Sequence, residues 1–595
     1  MPPPGRSWTA WAVPDLSLTA ALAAIAFCLF IYQAPWRLFA DSDPGWHIVT
    51  GEQILATGRI PHSDPFSFLQ TGHAWYAWEW ASEILMALFH RWQGLTGVVF
   101  LFTMCIGLTI WLCFRLHRRL GGDFFLACVM ASPLVATAKL HWLARPHVLS
   151  YLFLLGTVFY FEQAAGRFRV RDGLVLGIGT AVWAGVHGSF PMVIALALLY
   201  AAGHAARALL WKDLDTVEEW RRTGWFLLAA LCAGAGSLLN PYGLALHRHL
   251  LEFTFHPELR GAVLEWEPFN FAHTGSGQIL ITAALGGLGA LLALRQRNVP
   301  HALVIGFLVA LGLKYARGLP VLALLGLPLA NAAITRTLEM GKGAILRGLM
   351  GISAELRRLD RNQHGGALAA LAALAVLGWL HQPAVEARTG FSPETYPAGA
   401  YETIAGLPAS SRIFASPLDG GYICYRSNGT RKIWIDGRVD YFGPAPYLQF
   451  QQILLTKPGW KETLREVGFT HAVLETRRPL AAALDQAGWR QLYRDRRVAV
   501  WERPDAELRL NALNPPRSHL RPRTRCFPPP ARTEPRLFPC GEPFTLNLDR
   551  AWSQASLSPQ IWNWPLNWKP HSRKSARWSS FVSLMITRPS TTWGA

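Results

Sequence analysis

The sequence predicts an α-helical polytopic membrane protein with a C-terminal extracytoplasmic α/β domain and a disordered tail. Three observations predict it. Only 16% of the 595 residues are charged while 51% are hydrophobic, with a positive mean hydropathy of +0.18. That is too few charges for an ordinary soluble enzyme, which carries about 25%. Apolar runs of membrane-crossing size recur along the first two thirds of the chain, and they stop near residue 381.

A bilayer core about 30 Å thick takes roughly 17–25 apolar residues per helix. Runs of about that size, some shorter, fall near 16–36, 95–114, 124–140, 147–162, 173–187 and 189–210. Others follow near 224–240, 278–294, 301–314, 318–335 and 366–381, giving about eleven spans. Many are rich in Ala, Gly and Leu, as closely packed membrane helices are. The first run is long and reads as a retained anchor rather than a signal peptide.

Orientation follows from Lys and Arg, which favour cytoplasmic loops. With the N-terminus inside, alternate loops hold eighteen of them, including Arg115, Arg118, Arg119, Arg357, Arg358 and Arg361. The opposite loops up to residue 318 hold nine over a longer span. A loop over 37–94, another over 241–277 and everything beyond the last span then face outward, as expected for a cell (inner) membrane protein. The membrane part occupies 1–384.

Residues 385–505 read as a small α/β domain. Strand-like runs RIFAS (412–416), KIWIDGRV (432–439), THAVLET (470–476) and RVAVWER (497–503) alternate with helical stretches at 447–467 and 479–487. LDGGY (418–422) and IDGR (435–438) read as turns between strands. The last segment, 506–595, has 13 Pro, 13 Lys+Arg and four Asp+Glu, a composition that buries no core and reads as disordered or translated out of frame. It supplies +9 of the +19 net charge, so the basic balance is a topology signal plus a tail and gives no support to nucleic-acid binding.

The cysteines add little. Cys28, Cys105, Cys113, Cys128 and Cys232 lie in apolar runs, and Cys424, Cys526 and Cys540 form no CxxC, so neither a zinc site nor a disulfide framework is indicated.

Chemistry concentrates in the first outer loop. Asp41-Ser42-Asp43 follows the first span directly, and His47, Glu79, Glu83, Trp78 and Trp80 lie further along the same loop. Acidic groups beside a bilayer need water, a cation or a substrate to face. A D-x-D pair can share a divalent cation such as Mg or Mn through oxygen ligands, or one member can act as base while the other orients it. The alternative is a solvated loop start. Tryptophans there serve as interfacial anchors or as platforms for sugar rings.

The pattern D-x-D-x-x-W-H, then G-x-x-I, G-x-x-P, D-P-F-S and W-x-x-E-W, resembles the first outer loop of membrane glycosyltransferases with the GT-C fold. The resemblance is strongest to bacterial multi-pass members; the polyprenyl-phosphate-sugar enzymes and the catalytic subunit of oligosaccharyltransferase belong to the same group. It covers residues 41–80 by motif and about 15–380 by topology. It implies a hexosyl- or pentosyltransferase of the cell envelope, with Asp41 or Asp43 as catalytic base or metal ligand. It also implies a polyprenyl-phosphate-linked sugar as donor and a glycan, lipid or protein as acceptor. The second acidic site common in the family is missing from the next outer loop, KLHWLARPH (139–147), which weighs against full metal dependence.

That loop is basic instead. A departing polyprenyl phosphate needs cations, and the planar fork of Arg145 suits two phosphate oxygens. His141, His147 and Arg317 are placed to assist. Lys139 and Lys314 read equally well as contacts to lipid headgroups. His187, in a short outer turn, joins as a pocket residue, and His47, Glu79, Trp78 and Trp80 as substrate contacts. Glu265 and Glu267 lie in another outer loop, where acceptor contact and plain solvation are equally compatible. Neither a P-loop nor a Rossmann glycine run occurs. A transporter or flippase of a lipid-linked or small solute, and a non-catalytic GT-C-like protein, are the competing readings; no internal repeat of the transporter kind is evident.

Overall fold

The computed structural model describes residues 9–163, 167–255, 264–272 and 275–504. The tail expected to be disordered or out of frame, 506–595, lies outside the described residues.

The eleven apolar runs all fall in helices. Among the described residues five helices are long and apolar enough to cross a membrane: Trp80–Arg119, Phe124–His141, Pro191–Leu210, Gly277–Arg295 and Ala316–Glu339. Leu16–Ile31, His147–Phe161, Val299–Lys314 and Gly366–Leu380 are apolar but shorter. By length and composition the count is therefore five, below the eleven expected. Val170–Val186 misses the count because it has 17 residues. Thr216–Ser237 misses it because Glu218, Glu219, Arg221 and Arg222 crowd its first half. Hydropathy runs register apolar content alone, whereas length and charge decide whether a helix suits a hydrocarbon layer.

Local chemistry sets the helix starts. Asp15 caps Leu16–Ala26 by accepting the Leu18 N–H at 2.8 Å, and Asp123 caps Phe124–Ala138 through the Leu126 N–H at 3.0 Å. Trp80–Arg119 runs 40 residues but is not one rod, because Gln93 and Gly94 leave helical geometry, with Gly94 at φ +57°. The part before the break belongs to the 37–94 segment read from the sequence as a loop. The part after it carries the apolar run 95–114.

In that loop, helix Asp43–Thr57 ends at Gly58, whose φ is +65°. Gly51 lets this helix lie directly on the next one, since a β-carbon there would collide with the Glu83 carbonyl. This contact brings His47 to within 3.2 Å of Glu83.

The C-terminal region holds a four-stranded mixed sheet. β1 (Ile413–Phe414) pairs in parallel with β2 (His471–Glu475), and β4 (Val498–Glu502) pairs antiparallel with both β2 and β3 (Arg490–Arg494). Helices Pro444–Leu454, Trp460–Val467 and Pro479–Gln486 supply Ile453, Leu464 and Leu484 to a core with Phe414, Trp434 and Trp501.

Three local expectations are corrected here. LDGGY is not a turn; it lies within helix Pro417–Arg426, capped by Ser416. KIWIDGRV forms no strand, only an isolated bridge from Ile433 to Ser67. The stretch 447–467 is two helices, broken at the Lys457-Pro458-Gly459 turn.

The sheet region is joined to the 37–94 segment. Ile433 exchanges backbone hydrogen bonds with Phe66 and Phe68 at 3.0 and 2.9 Å. Arg438 forms buried ion pairs with Asp64 at 2.9 Å and Asp436 at 2.8 Å. Its guanidinium also lies 4.7 Å from the centre of the Trp75 ring. The Tyr396 hydroxyl donates to the Phe39 carbonyl at 2.6 Å.

Candidate functional site: a carboxylate–arginine cavity

A cavity of about 300 Å³ opens between the 37–94 segment, the 141–147 segment and the turns that precede two of the helices. Its position follows from backbone contacts. The Tyr32 hydroxyl donates to the Trp142 carbonyl at 2.5 Å, and the Ala144 N–H donates to the Leu38 carbonyl at 2.8 Å. These bonds hold the basic segment beside Asp41-Ser42-Asp43.

Arg145 is the centre of the charge arrangement. Its Nη1 lies 2.8 Å from Asp41 Oδ2 and its Nη2 lies 2.8 Å from Asp43 Oδ2. Nη1 also donates to Glu265 Oε1 at 3.4 Å. Nε has no hydrogen-bond partner among the described residues. Burial works against the charge of this guanidinium, but Asp43, Asp41 and Glu265 hold its pKa above the ordinary arginine value.

The two aspartates are not equivalent. Asp43 is buried, begins helix Asp43–Thr57, accepts the Trp46 Nε1–H at 3.2 Å and lines the cavity. Asp41 is half-buried, accepts the Asp43 N–H at 3.0 Å and is not part of the wall. Burial pushes the Asp43 carboxyl up to about 7, with Arg145 opposing the shift and Asp41 adding to it.

Glu79 sits between two histidines, 3.6 Å from His47 Nε2 and 3.5 Å from His187 Nε2. Burial pushes its carboxyl up to about 8, against the pull of Arg145. Burial, reinforced by Arg145, keeps His47 below the ordinary histidine value. His187 Nδ1 accepts the Ser189 N–H at 3.1 Å, which puts the ring proton of the neutral form on Nε2, toward Glu79.

The remaining expected residues divide cleanly. His141, Arg317 and Trp78 line the cavity, and so does His147, whose Nε2–H donates to the His141 carbonyl at 2.7 Å. Trp80 does not line it; its ring packs against Gly185. Lys139 and Lys314 are also outside the wall, lying 5.7 Å from the Phe27 ring and 5.2 Å from the Tyr315 ring.

Two further contributors read from the sequence only as an undecided loop acid and as a turn. Glu265 enters from the 264–272 segment and lies 3.7 Å from Arg317 Nη2 and 3.9 Å from His141 Nδ1. Burial alone would raise its carboxyl, but Arg145, His141 and Arg317 hold it well below the usual range. Arg317 also lies 4.9 Å from the Trp266 ring centre, while the buried Trp266 Nε1 has no hydrogen-bond partner among the described residues. The second contributor is the IDGR segment, whose Gly437 and Arg438 form part of the wall. Gly437 abuts Asp43 so closely that a β-carbon would overlap its Oδ1.

Among the described residues no group of three or more His, Cys, Asp or Glu side chains is arranged to hold a metal ion. The D-x-D oxygens that would share a divalent cation are engaged by the Arg145 guanidinium instead.

Solved structures that resemble the chain include two of an archaeal enzyme. One is the archaeal oligosaccharyltransferase AglB from Archaeoglobus fulgidus in complex with an inhibitory peptide and a dolichol-phosphate. It is 12% identical with a TM-score of 0.47, over 77% of this chain and 69% of that one. The apo form of the Archaeoglobus fulgidus oligosaccharyltransferase is 13% identical with a TM-score of 0.46, over the same shares. No protein-family model and no curated protein sequence matches.

Proposed function

We propose that the chain is a membrane glycosyltransferase that moves a sugar from a polyprenyl-phosphate donor to a hydroxyl on an extracytoplasmic acceptor. The observation that carries this reading is the placement of Asp43 and Arg145 in one cavity, with Trp78, four histidines and Arg317 around them.

In the proposed reaction Asp43 takes the acceptor hydroxyl proton as the oxygen bonds to the anomeric carbon. The bond from that carbon to the phosphate oxygen breaks, and polyprenyl phosphate leaves with the electron pair. Direct displacement inverts the anomeric centre. Arg145 and Arg317 stabilise the developing phosphate charge, with His147 beside them. A phosphate binding to Arg145 competes with Asp43 for the same guanidinium. Donor binding thereby loosens the aspartate's ion pair and leaves it a stronger base. Glu79, predominantly protonated at neutral pH, hydrogen-bonds sugar hydroxyls, and Trp78 offers a ring face to the sugar.

In this reading the N-terminus is cytoplasmic, the cavity faces outward from the cell (inner) membrane, and residues 385–505 form the extracytoplasmic α/β portion. The test is an in vitro assay with labelled polyprenyl-phosphate sugar. Product formation should disappear when Asp41 and Asp43 are both changed to Asn, and full activity in that double variant overturns the assignment.

A further inference from the structure

A second cavity, of about 520 Å³, is lined by Arg115, Arg118, Arg119, Arg361, Phe159 and Gln163. Three of these arginines end helix Trp80–Arg119, whose other end begins at the carboxylate cavity. From the break at Gly94 to Arg119 the helix spans about 37 Å at roughly 1.5 Å per residue, so the two cavities lie at opposite ends of a membrane-length helix.

The charges here do not balance. Asp15 Oδ2 lies 3.4 Å from Arg115 Nη1 and 3.2 Å from Arg118 Nη1, and Asp360 Oδ2 lies 3.3 Å from the same Arg118 nitrogen. Arg119 and Arg361 are exposed and have no carboxylate partner among the described residues. A loop preference for basic residues accounts for their presence, but not for their convergence on one hollow together with an aromatic wall.

The neighbouring helix supplies a second observation. Ala344–Asp360, which ends at Arg361, buries Ser353, whose Oγ accepts the Phe124 N–H at 3.1 Å. Its apolar side chains Ile345, Leu349 and Ile352 are exposed, as are Arg347 and Arg358. An exposed apolar stripe flanked by arginines is the form of a helix lying in a membrane interface, where anionic headgroups are within reach.

We propose that this cavity binds the phosphate headgroup of an anionic phospholipid. Arg119 and Arg361 grip the phosphate oxygens, Arg115 and Arg118 are held in place by Asp15 and Asp360, and Phe159 borders the start of an acyl chain. The inference does not depend on the glycosyl-transfer reading.

The test uses the full-length chain in detergent, titrated with phosphatidylglycerol or phosphatidylcholine and read by native mass spectrometry and thermal shift. Phosphatidylglycerol should bind roughly tenfold or more tightly than phosphatidylcholine, and the R119Q/R361Q double variant should lose most of that difference. Both arginines are exposed and outside the Asp15–Asp360 ion pairs, so the variant keeps its fold; its unliganded melting temperature verifies this. R347Q, on the helix but outside the cavity, should retain the preference. Equal phosphatidylglycerol binding by the double variant, or no headgroup discrimination by the unaltered chain, overturns the proposal. Inorganic phosphate occupying the site while phosphatidylglycerol does not would also overturn it.

Discussion

Gly437 abuts Asp43 with no room for a side chain between them: a β-carbon on Gly437 would overlap Asp43 Oδ1. The residue most directly placed to act as base is therefore walled in by a segment from the far end of the described chain. G437A should push Asp43 off the Arg145 fork and lower transfer activity by about a hundredfold, as small displacements of reacting groups do. G378A, where a β-carbon meets open space, is the matched control and should leave activity unchanged. Activity in G437A equal to that of the control would remove Asp43 placement from the mechanism.

The two aspartates should separate under single substitution. D43N should reduce turnover by about 100- to 10,000-fold, the range of a lost general base. D41N should leave most of the rate, because Asp41 lies outside the cavity wall. Steady-state rates on the labelled donor distinguish them, and equal losses in both would contradict the division of roles.

The pH profile carries a sign. Burial raises Asp43 to about 7, so a base at this position is protonated in acid. The kcat/KM, which reports the free enzyme, should rise with pH through about 7, and kcat at a higher pH once the donor has drawn Arg145 away. D41N removes a neighbouring negative charge that adds to the shift, so its profile should move to lower pH. R145Q removes the cation that opposes the shift, so any residual activity should move to higher pH. A profile that ignores both substitutions would assign the titration to another group.

Arg438 makes a stability prediction. Its guanidinium and both partner carboxylates are buried, and R438M would leave Asp64 and Asp436 without their cation. The expected cost is about 3–5 kcal/mol, the range for breaking a buried ion pair by removing one partner. Thermal unfolding of the purified chain measures it. A shift within that of surface variants would mean that Asp64 and Asp436 find other partners.

What the sequence made legible was local. Asp41-Ser42-Asp43, the aromatic run around Glu79 and the basic KLHWLARPH segment are each continuous stretches, and their residue types alone mark them as unusual beside a bilayer. Which of them share a cavity depends on backbone bonds such as Ala144 to Leu38, and no periodicity records those. From the sequence Glu265 is undecided between acceptor contact and solvated loop because its cationic partners Arg145 and Arg317 are remote in sequence. IDGR carries ordinary turn residues, and only the close approach to Asp43 gives its glycine a role. The helix runs were readable for the same local reason, while their suitability as spans turned on helix length and on charges just outside each apolar stretch.

The joint between the 37–94 segment and the sheet region also constrains what can be exchanged between related chains. Ile433 shares backbone bonds with Phe66 and Phe68, Arg438 reaches Asp64, and Gly437 abuts Asp43. A chimera that imported only the C-terminal half of this arrangement would meet a foreign partner at each contact. The two stretches, at opposite ends of the described chain, form one module for recombination and have to travel together.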